Sequence, residues 1–534
     1  MDKDELKALF AGDGDSPTAQ RVRRRLFTGL IDFLNSERVT VDADLTSLAA
    51  RFQNGQHPDH TISSEEYLEL LAEKVVPYSI NMASPRCLGH MTGAPPNFVK
   101  PVGELILALN QNLVKVEASK VFTVIERQTL GMLHKLVYGR PAWFYERYAQ
   151  DINSALGIIA SGATLANITA LWIARNASLG ATDSFAGVEE AGLPAALRFY
   201  GYTDAVIIAS NAVHYSIDKA AGLLGLGAKG LLKINVDHRN RMDVATLRAA
   251  VQECNSRRVC ILAIVGIAGT TDSGSIDPLT EIGEVAREFN IHFHVDAAWG
   301  APLLFSRSHR DLLSGISQAD SVTVDGHKHM HLPIGCSALL LDHPKAADVI
   351  EKRSHYILHS GSGDLGRHSL EGSRDAGALF LHAALHVIGR AGYELLVDES
   401  FSTAQMMAAA IRNREEFELL ADVETNILLY RYIPEECRKR ENGHSYSDAH
   451  NVIINECNER IQKEQFKAGR TFVSRIHMRN TNGGEVPILA LRAVIANPLT
   501  TEADVEAVLD DQLTIASEIE SDLYSRAGSR TSTV

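Results

Sequence analysis

Cysteine is scarce in this chain: six in 534 residues, scattered, with no close pairs. Such a pattern supplies neither a disulfide framework nor the ligand spacing of a zinc site. Positive charge is in deficit, with 52 Lys and Arg against 66 Asp and Glu and a formal net charge of -14. That balance argues against nucleic-acid binding as the main task, because phosphate contacts need clustered cations. The short basic run Arg21-Val22-Arg23-Arg24-Arg25 lies in a helical pattern and reads as a solvated or interface face. Long apolar runs are missing too; none approaches the roughly 20 residues of a membrane span. The acidic start Met1-Asp2-Lys3-Asp4-Glu5 does not read as a secretory signal. The expectation is a cytoplasmic protein with no membrane or nucleic-acid partner.

What is present suffices for a large core. Hydrophobic residues make up 45% of the chain and charged residues 22%, ordinary values for a globular protein. Residues 1–100 read as a helical segment that closes on the turn Ala94-Pro95-Pro96. From about 150 to 345, short apolar strands alternate with amphipathic helices. The predicted strands are Ala205–Ser210, Val259–Ile267, Ile291–Ala297, Ser321–Asp325 and Ser337–Leu341. Between them Thr164–Arg175, Ser216–Leu224 and Pro278–Phe289 fit helices. Apolar strands alternating with helices predict an α/β fold whose mostly parallel sheet is covered on both faces. Its ligands belong outside the carboxyl ends of the strands. The expected division is 1–100, a large domain over 101–390, a small α+β domain over 391–525, and a disordered Ser/Thr-rich tail over 526–534.

Four segments carry chemistry. Ser161-Gly162-Ala163-Thr164-Leu165-Ala166-Asn167 follows the apolar run Leu156 to Ile159. Small residues where a strand turns into a helix let backbone N–H groups approach an anion. The bland reading is a tight turn with a Thr cap. In Ser210-Asn211-Ala212-Val213-His214-Tyr215-Ser216, His214 can stack on a flat cofactor or sit incidentally in a capping loop. In His292-Phe293-His294-Val295-Asp296-Ala297-Ala298-Trp299, Asp296 ends an apolar strand. A carboxylate buried there needs a partner, such as a protonated pyridine nitrogen, a metal or a helix end. In Val322-Thr323-Val324-Asp325-Gly326-His327-Lys328-His329, Lys328 can serve as a nucleophile for carbonyls. A metal held by His327, His329 and His331 is the competing reading, weakened because no carboxylate or Cys completes the set. In this order the four supply a phosphate cradle, a stacking ring, a pyridinium partner and a Schiff-base Lys, the protein parts that pyridoxal 5'-phosphate (PLP) requires.

With these motifs in place the chain resembles the group II PLP-dependent amino-acid decarboxylases. The resemblance runs from about residue 80 to about residue 510, and His294–Ala298 and His327-Lys328 are its most specific parts. It implies the aspartate aminotransferase-like, fold type I architecture of PLP-dependent transferases. It implies that Lys328 bonds the cofactor, that Asp296 pairs with the pyridine nitrogen, and that His214 stacks on the ring opposite Ala298. Gly162, Ala163, Thr164 and His327 would hold the phosphate, with Asp325 close by and Thr271 touching cofactor or substrate. Tyr356 would return a proton to the substrate carbon after CO2 leaves. Arg492, His90 and Arg374 would serve the substrate side, with Arg86 and His329 as further cations for a side-chain carboxylate. Leu165 departs from the family, many of whose members are acidic at that position. The expected reaction is α-decarboxylation of an acidic amino acid, L-aspartate to β-alanine first and glutamate as the alternative, in a homodimer with sites at the interface. An aminotransferase or carbon–carbon lyase on the same fold is the competing reaction class.

Overall fold

The strand Val259–Ile267 is rich in branched apolar side chains and buried along all but its first residue. Such a strand needs cover on both faces and therefore belongs in the middle of a sheet. A computed structural model of the chain, describing residues 3–8, 10, 17–352, 362–438, 446–479 and 484–531, puts it there. The chain divides into two compact units.

The larger unit is Pro95–Gln405 with Ala421–Leu428. Its sheet has seven strands: β1 Gly157–Ala160, β2 Asp204–Ser210, β3 Leu231–Ile234, β4 Val259–Ile267, β5 His292–Asp296, β6 Ser321–Asp325 and β7 Ser337–Leu341. Their order across the sheet is β1-β7-β6-β5-β4-β2-β3. Strands β3, β2, β4, β5 and β6 run parallel, while β7 is antiparallel to both of its neighbours. All five predicted strands form; β1 was read only as an apolar run, and β3 went unpredicted. It is short and carries the exposed Lys233 within it. Where β4 meets β2 the register slips, because Val206 and Ile207 face Ile261 and Ala263 and leave Leu262 as an extra residue. Leu262 and Ala263 therefore pack on one side of the sheet with Ile207 and Leu171, while Ile261 and Ile264 pack on the other with Leu247 and Val285.

The smaller unit is Met1–Ala94, Met406–Leu420 and Leu429–Val534. Residues 1–94 are thus not a separate segment, as expected, but part of the same body as the C-terminal residues. Backbone hydrogen bonds knit them together: Val39 N–H to Gly469 O at 2.8 Å, Leu88 N–H to Phe472 O at 2.8 Å and Val494 N–H to Leu88 O at 2.7 Å. Strand pairing between distant segments is invisible to local periodicity. A second sheet has the order β10-β11-β9-β8, formed by β8 Phe417–Leu419, β9 Ile427–Tyr432, β10 Ser474–Met478 and β11 Ile488–Val494. The tail departs from expectation. The helix Glu502–Thr531 runs through residues 526–531, because extending a helix already formed adds a hydrogen bond per residue fixed. Among the described residues no helix is long and apolar enough to cross a membrane.

Candidate active site

Strands β4, β5 and β6 release the chain at one edge of the sheet, and the chemistry gathers there. One small pocket is lined by Ala163, His214, Thr271, Asp296, Ala298 and Lys328, with Ala212, Ile267, Gly269 and Trp299 completing the wall. Six residues predicted for the site therefore share one space. Small residues in the turns make the close approaches possible. Gly326 brings the chain after β6 so near Cys336 that an added Cβ would sit 2.4 Å from its carbonyl oxygen. Gly269 has φ +96°, and a Cβ there would meet Trp299 at 2.9 Å.

The helix Ala163–Ser178 opens at Gly162 with no side-chain cap. The Thr-cap reading is thereby set aside. A Cβ built on Gly162 would meet nothing within 4 Å, so the uncapped helix end faces open space. That is the environment an anion takes up. Thr164 flanks Ala163 at this terminus, and Glu371 accepts a hydrogen bond from the Ser161 N–H just before it, at 3.2 Å.

His214 does two jobs. It caps the helix Tyr215–Leu223, its Nδ1 accepting from the Ser216 N–H at 3.3 Å, and it also lines the pocket. Burial pushes its pKa down; Asp296 opposes the shift and Lys328 adds to it, an electrostatic sign that the three are neighbours.

Asp296 is buried at the end of β5. Its Oδ1 accepts from the Ala298 N–H at 3.1 Å and its Oδ2 from Asn167 Nδ2 at 2.8 Å. Asn167 also donates to Ser216 Oγ at 3.0 Å, and its Oδ1 lies 3.1 Å from His294 Nε2. Sequence reasoning missed Asn167 and His294. A signal existed: the period of two in a strand puts His292, His294 and Asp296 on one face of β5.

Asp325 ends β6. Its Oδ1 accepts from Ser337 Oγ at 2.8 Å and lies 2.6 Å from His327 Nδ1, while its Oδ2 is buried with no partner among the described residues. Among the described residues no group of three His, Cys, Asp or Glu side chains can hold an ion. His329 instead stacks on Trp299, centroids 5.0 Å apart, and lies within 3.2 Å of Ser400 Oγ. Burial pushes its pKa down to about 3, so it is neutral and unsuited to hold a carboxylate by charge.

Arg374, Arg86, Arg492 and His90 are not among the residues that line this pocket. Arg374 does not line the pocket; its guanidinium is taken up by Glu126, which makes a buried carboxylate rather than substrate its partner. Arg86 is held by Asp504 at 3.0 Å. Arg492, on β11, is buried and donates from Nη1 to Ser474 Oγ at 2.9 Å. His90 is exposed, with Nδ1 2.9 Å from Thr92 Oγ1. Both belong to the smaller unit. Tyr356 lies outside the described residues.

The donor set fits PLP: an uncapped helix end for a phosphate, a buried carboxylate for a pyridine nitrogen, an imidazole and small residues around a flat ring, and an amine. Fold and pocket together define an α/β enzyme of the fold type I, PLP-dependent class. Residues 52–433 match the model of the pyridoxal-dependent decarboxylase conserved domain. The chain belongs to that family and is a PLP-dependent amino-acid carboxy-lyase. Aspartate 1-decarboxylase of Aliivibrio fischeri is 40% identical over 522 residues, which cover 96% of this chain and 94% of that protein. L-2,4-diaminobutyrate decarboxylase of Rhizobium meliloti is 32% identical over 334 residues, 62% of this chain and 61% of that one. The crystal structure of mouse CSAD superposes with a TM-score of 0.81 at 24% identity, covering 94% of this chain and 99% of that one.

Proposed function

We propose that the chain decarboxylates L-aspartate at Cα, releasing CO2 and β-alanine. The observation that carries this reading is the 40% identity to an aspartate 1-decarboxylase, sustained over nearly the whole of both chains. Bound PLP supplies an electron sink for the pair left behind when the Cα–carboxylate bond breaks.

The residues divide the work. Lys328 would hold the cofactor through its side-chain amine. Asp296 would pair with the pyridine nitrogen and keep it protonated. His214 would cover one face of the ring, with Ala298 leaving room on the other. The helix end at Gly162, Ala163 and Thr164 would take the phosphate, with His327 and Asp325 beside it, and Thr271 would touch cofactor or substrate. Arg492 and His90 are the residues proposed for the substrate carboxylates. Tyr356 delivers the proton to Cα. The enzyme acts in the cytoplasm as a homodimer with its sites at the interface.

Other amino acids are the second reading, favoured by the relative named for L-2,4-diaminobutyrate at 32% identity. Incubating the PLP-loaded enzyme separately with aspartate, glutamate and 2,4-diaminobutyrate decides between them. β-Alanine as the dominant product supports the proposal; a faster release of γ-aminobutyrate or 1,3-diaminopropane overturns it. Light scattering checks the dimer.

A further inference from the structure

Behind Asp296 a chain of hydrogen bonds runs down β5, away from the pocket. Asn167 Nδ2 lies 2.8 Å from Asp296 Oδ2 and 3.0 Å from Ser216 Oγ. His294 Nε2 lies 3.1 Å from Asn167 Oδ1, and His294 Nδ1 lies 2.9 Å from Ser321 Oγ. Ser321 Oγ in turn lies 2.8 Å from His292 Nε2. Asn167, His294 and Ser321 are buried, and His292 reaches the wall of a separate cavity at the amino ends of β4, β5 and β6.

With His294 neutral, the chemistry of the groups orients each bond. A carboxylate oxygen only accepts, so the amide nitrogen of Asn167 must face Asp296. Its oxygen therefore faces His294, and His294 Nε2 must carry a hydrogen. In a neutral imidazole Nδ1 is then an acceptor, so Ser321 donates to it. The Ser321 oxygen is left to accept from His292 Nε2. Every donor in the row points toward Asp296. Such aligned bonds strengthen one another at low dielectric. Their common effect is to favour the ionised carboxylate.

We propose that His294 is a positioning residue of the catalytic site: as the neutral Nε2–H tautomer it locks the Asn167 amide, which holds Asp296 as an oriented carboxylate for the pyridine nitrogen of PLP. This rests on the reading of Asp296 as the partner of that nitrogen, and not on the choice of substrate. Burial supports the neutral form. It pushes the His294 pKa down to about 4, with Asp296 and the Ser321 backbone opposing and His292 adding. His292 is likewise lowered by burial, with Asp320 opposing. His214 and Lys328 face Asp296 from the pocket side.

The test compares His294→Phe, which removes the donor, with His294→Gln, whose side-chain amide can still donate to Asn167. PLP dissociation constants are measured by dialysis, and the absorbance of the PLP-bound enzyme is titrated against pH. His294→Phe is expected to weaken PLP binding about tenfold, in the range typical of losing an orienting partner. It should also shift the spectral pH profile and lower kcat while leaving KM for the amino acid unchanged. His294→Gln should restore most of the affinity. In an Asp296→Asn background, His294→Phe should add nothing. An unchanged PLP affinity and pH profile in His294→Phe, or an equal loss in both backgrounds, overturns the proposal. Should that variant not fold, Ser321→Ala removes only the hydroxyl donor to His294. A weakening of about two- to fivefold, the loss of one hydrogen bond, is then expected, and no change overturns the idea. If Asp296→Asn alone leaves PLP affinity intact, the reading of Asp296 fails instead.

Discussion

The carboxylate of Glu126 accepts two hydrogen bonds from the guanidinium of Arg374, and the two side chains are 1% and 8% exposed. Breaking such a pair from one side strands a charge away from water. Glu126→Ala is therefore expected to cost about 3–5 kcal/mol of stability. Replacing both partners with apolar residues, Glu126→Leu with Arg374→Met, should recover most of that loss. Urea unfolding of the two variants and the parent protein checks this. A double variant as unstable as the single one shows that the pair contributes more than mutual neutralisation.

Acid should destabilise the fold well above the range in which carboxylates titrate. His134, His294, His331 and His368 are each pushed down to about 4, chiefly by burial. The unfolded chain takes up these protons near pH 6.5, whereas the folded chain refuses them until about pH 4. Stability is thus complete above pH 6.5 and declines toward pH 4, by about 1.4 kcal/mol per pH unit for each proton bound only by the unfolded state. Asp277 works the other way, since burial pushes it up to about 7 despite backbone donors at Met242 and Ile267. One carboxyl against five imidazoles, counting His329 at about 3, leaves the sign unchanged. The urea midpoint should fall steadily from pH 7 to pH 5; a rise over that interval contradicts the burial of these rings.

Gly269→Ala should damage the pocket wall. The new methyl group would lie 2.9 Å from the Trp299 ring, on a backbone with φ +96°. Trp299 donates to Asn426 Oδ1 at 3.0 Å, and that bond would be disturbed as the ring moves. A stability loss of about 1–3 kcal/mol is expected from the backbone strain. A lower kcat/KM and altered tryptophan fluorescence should accompany it. Unchanged fluorescence means the wall absorbs the methyl group.

Tyr356→Phe tests the proposed proton donor. The variant is expected to lose most of its normal decarboxylation while PLP binding persists, and to divert turnover into abortive transamination or oxidation of the substrate. Product analysis after a long incubation with aspartate makes the distinction. Normal β-alanine yield without side products removes Tyr356 from the mechanism.

The sequence made the strand ends readable because chemistry and periodicity coincide there. Asp296 and Lys328 each follow a short apolar run, so their placement at one edge of the sheet could be inferred. Asn167 could not be found that way. It sits in a helix 129 residues from Asp296, and only the packed fold brings the two together. The same holds for Glu126, whose partner Arg374 is 248 residues distant. His329 misled because a His in a row of polar neighbours suggests a cation, whereas burial against Trp299 keeps it neutral. The union of residues 1–94 with the C-terminal segments depends on single backbone bonds such as Val39 to Gly469, which leave no mark in composition.

Strand β1 has one partner in the sheet, β7, which is the last of the seven strands to be made. A ribosome therefore releases Gly157–Ala160 long before anything exists for it to pair with. Closing so long a loop is slow, so the edge of the sheet is sealed late in folding. The helix end at Gly162, proposed above for the phosphate, follows directly on that strand. The nascent chain accordingly gains the ability to capture its cofactor only when Ser337–Leu341 has emerged, and truncations ending before β7 should retain none of it.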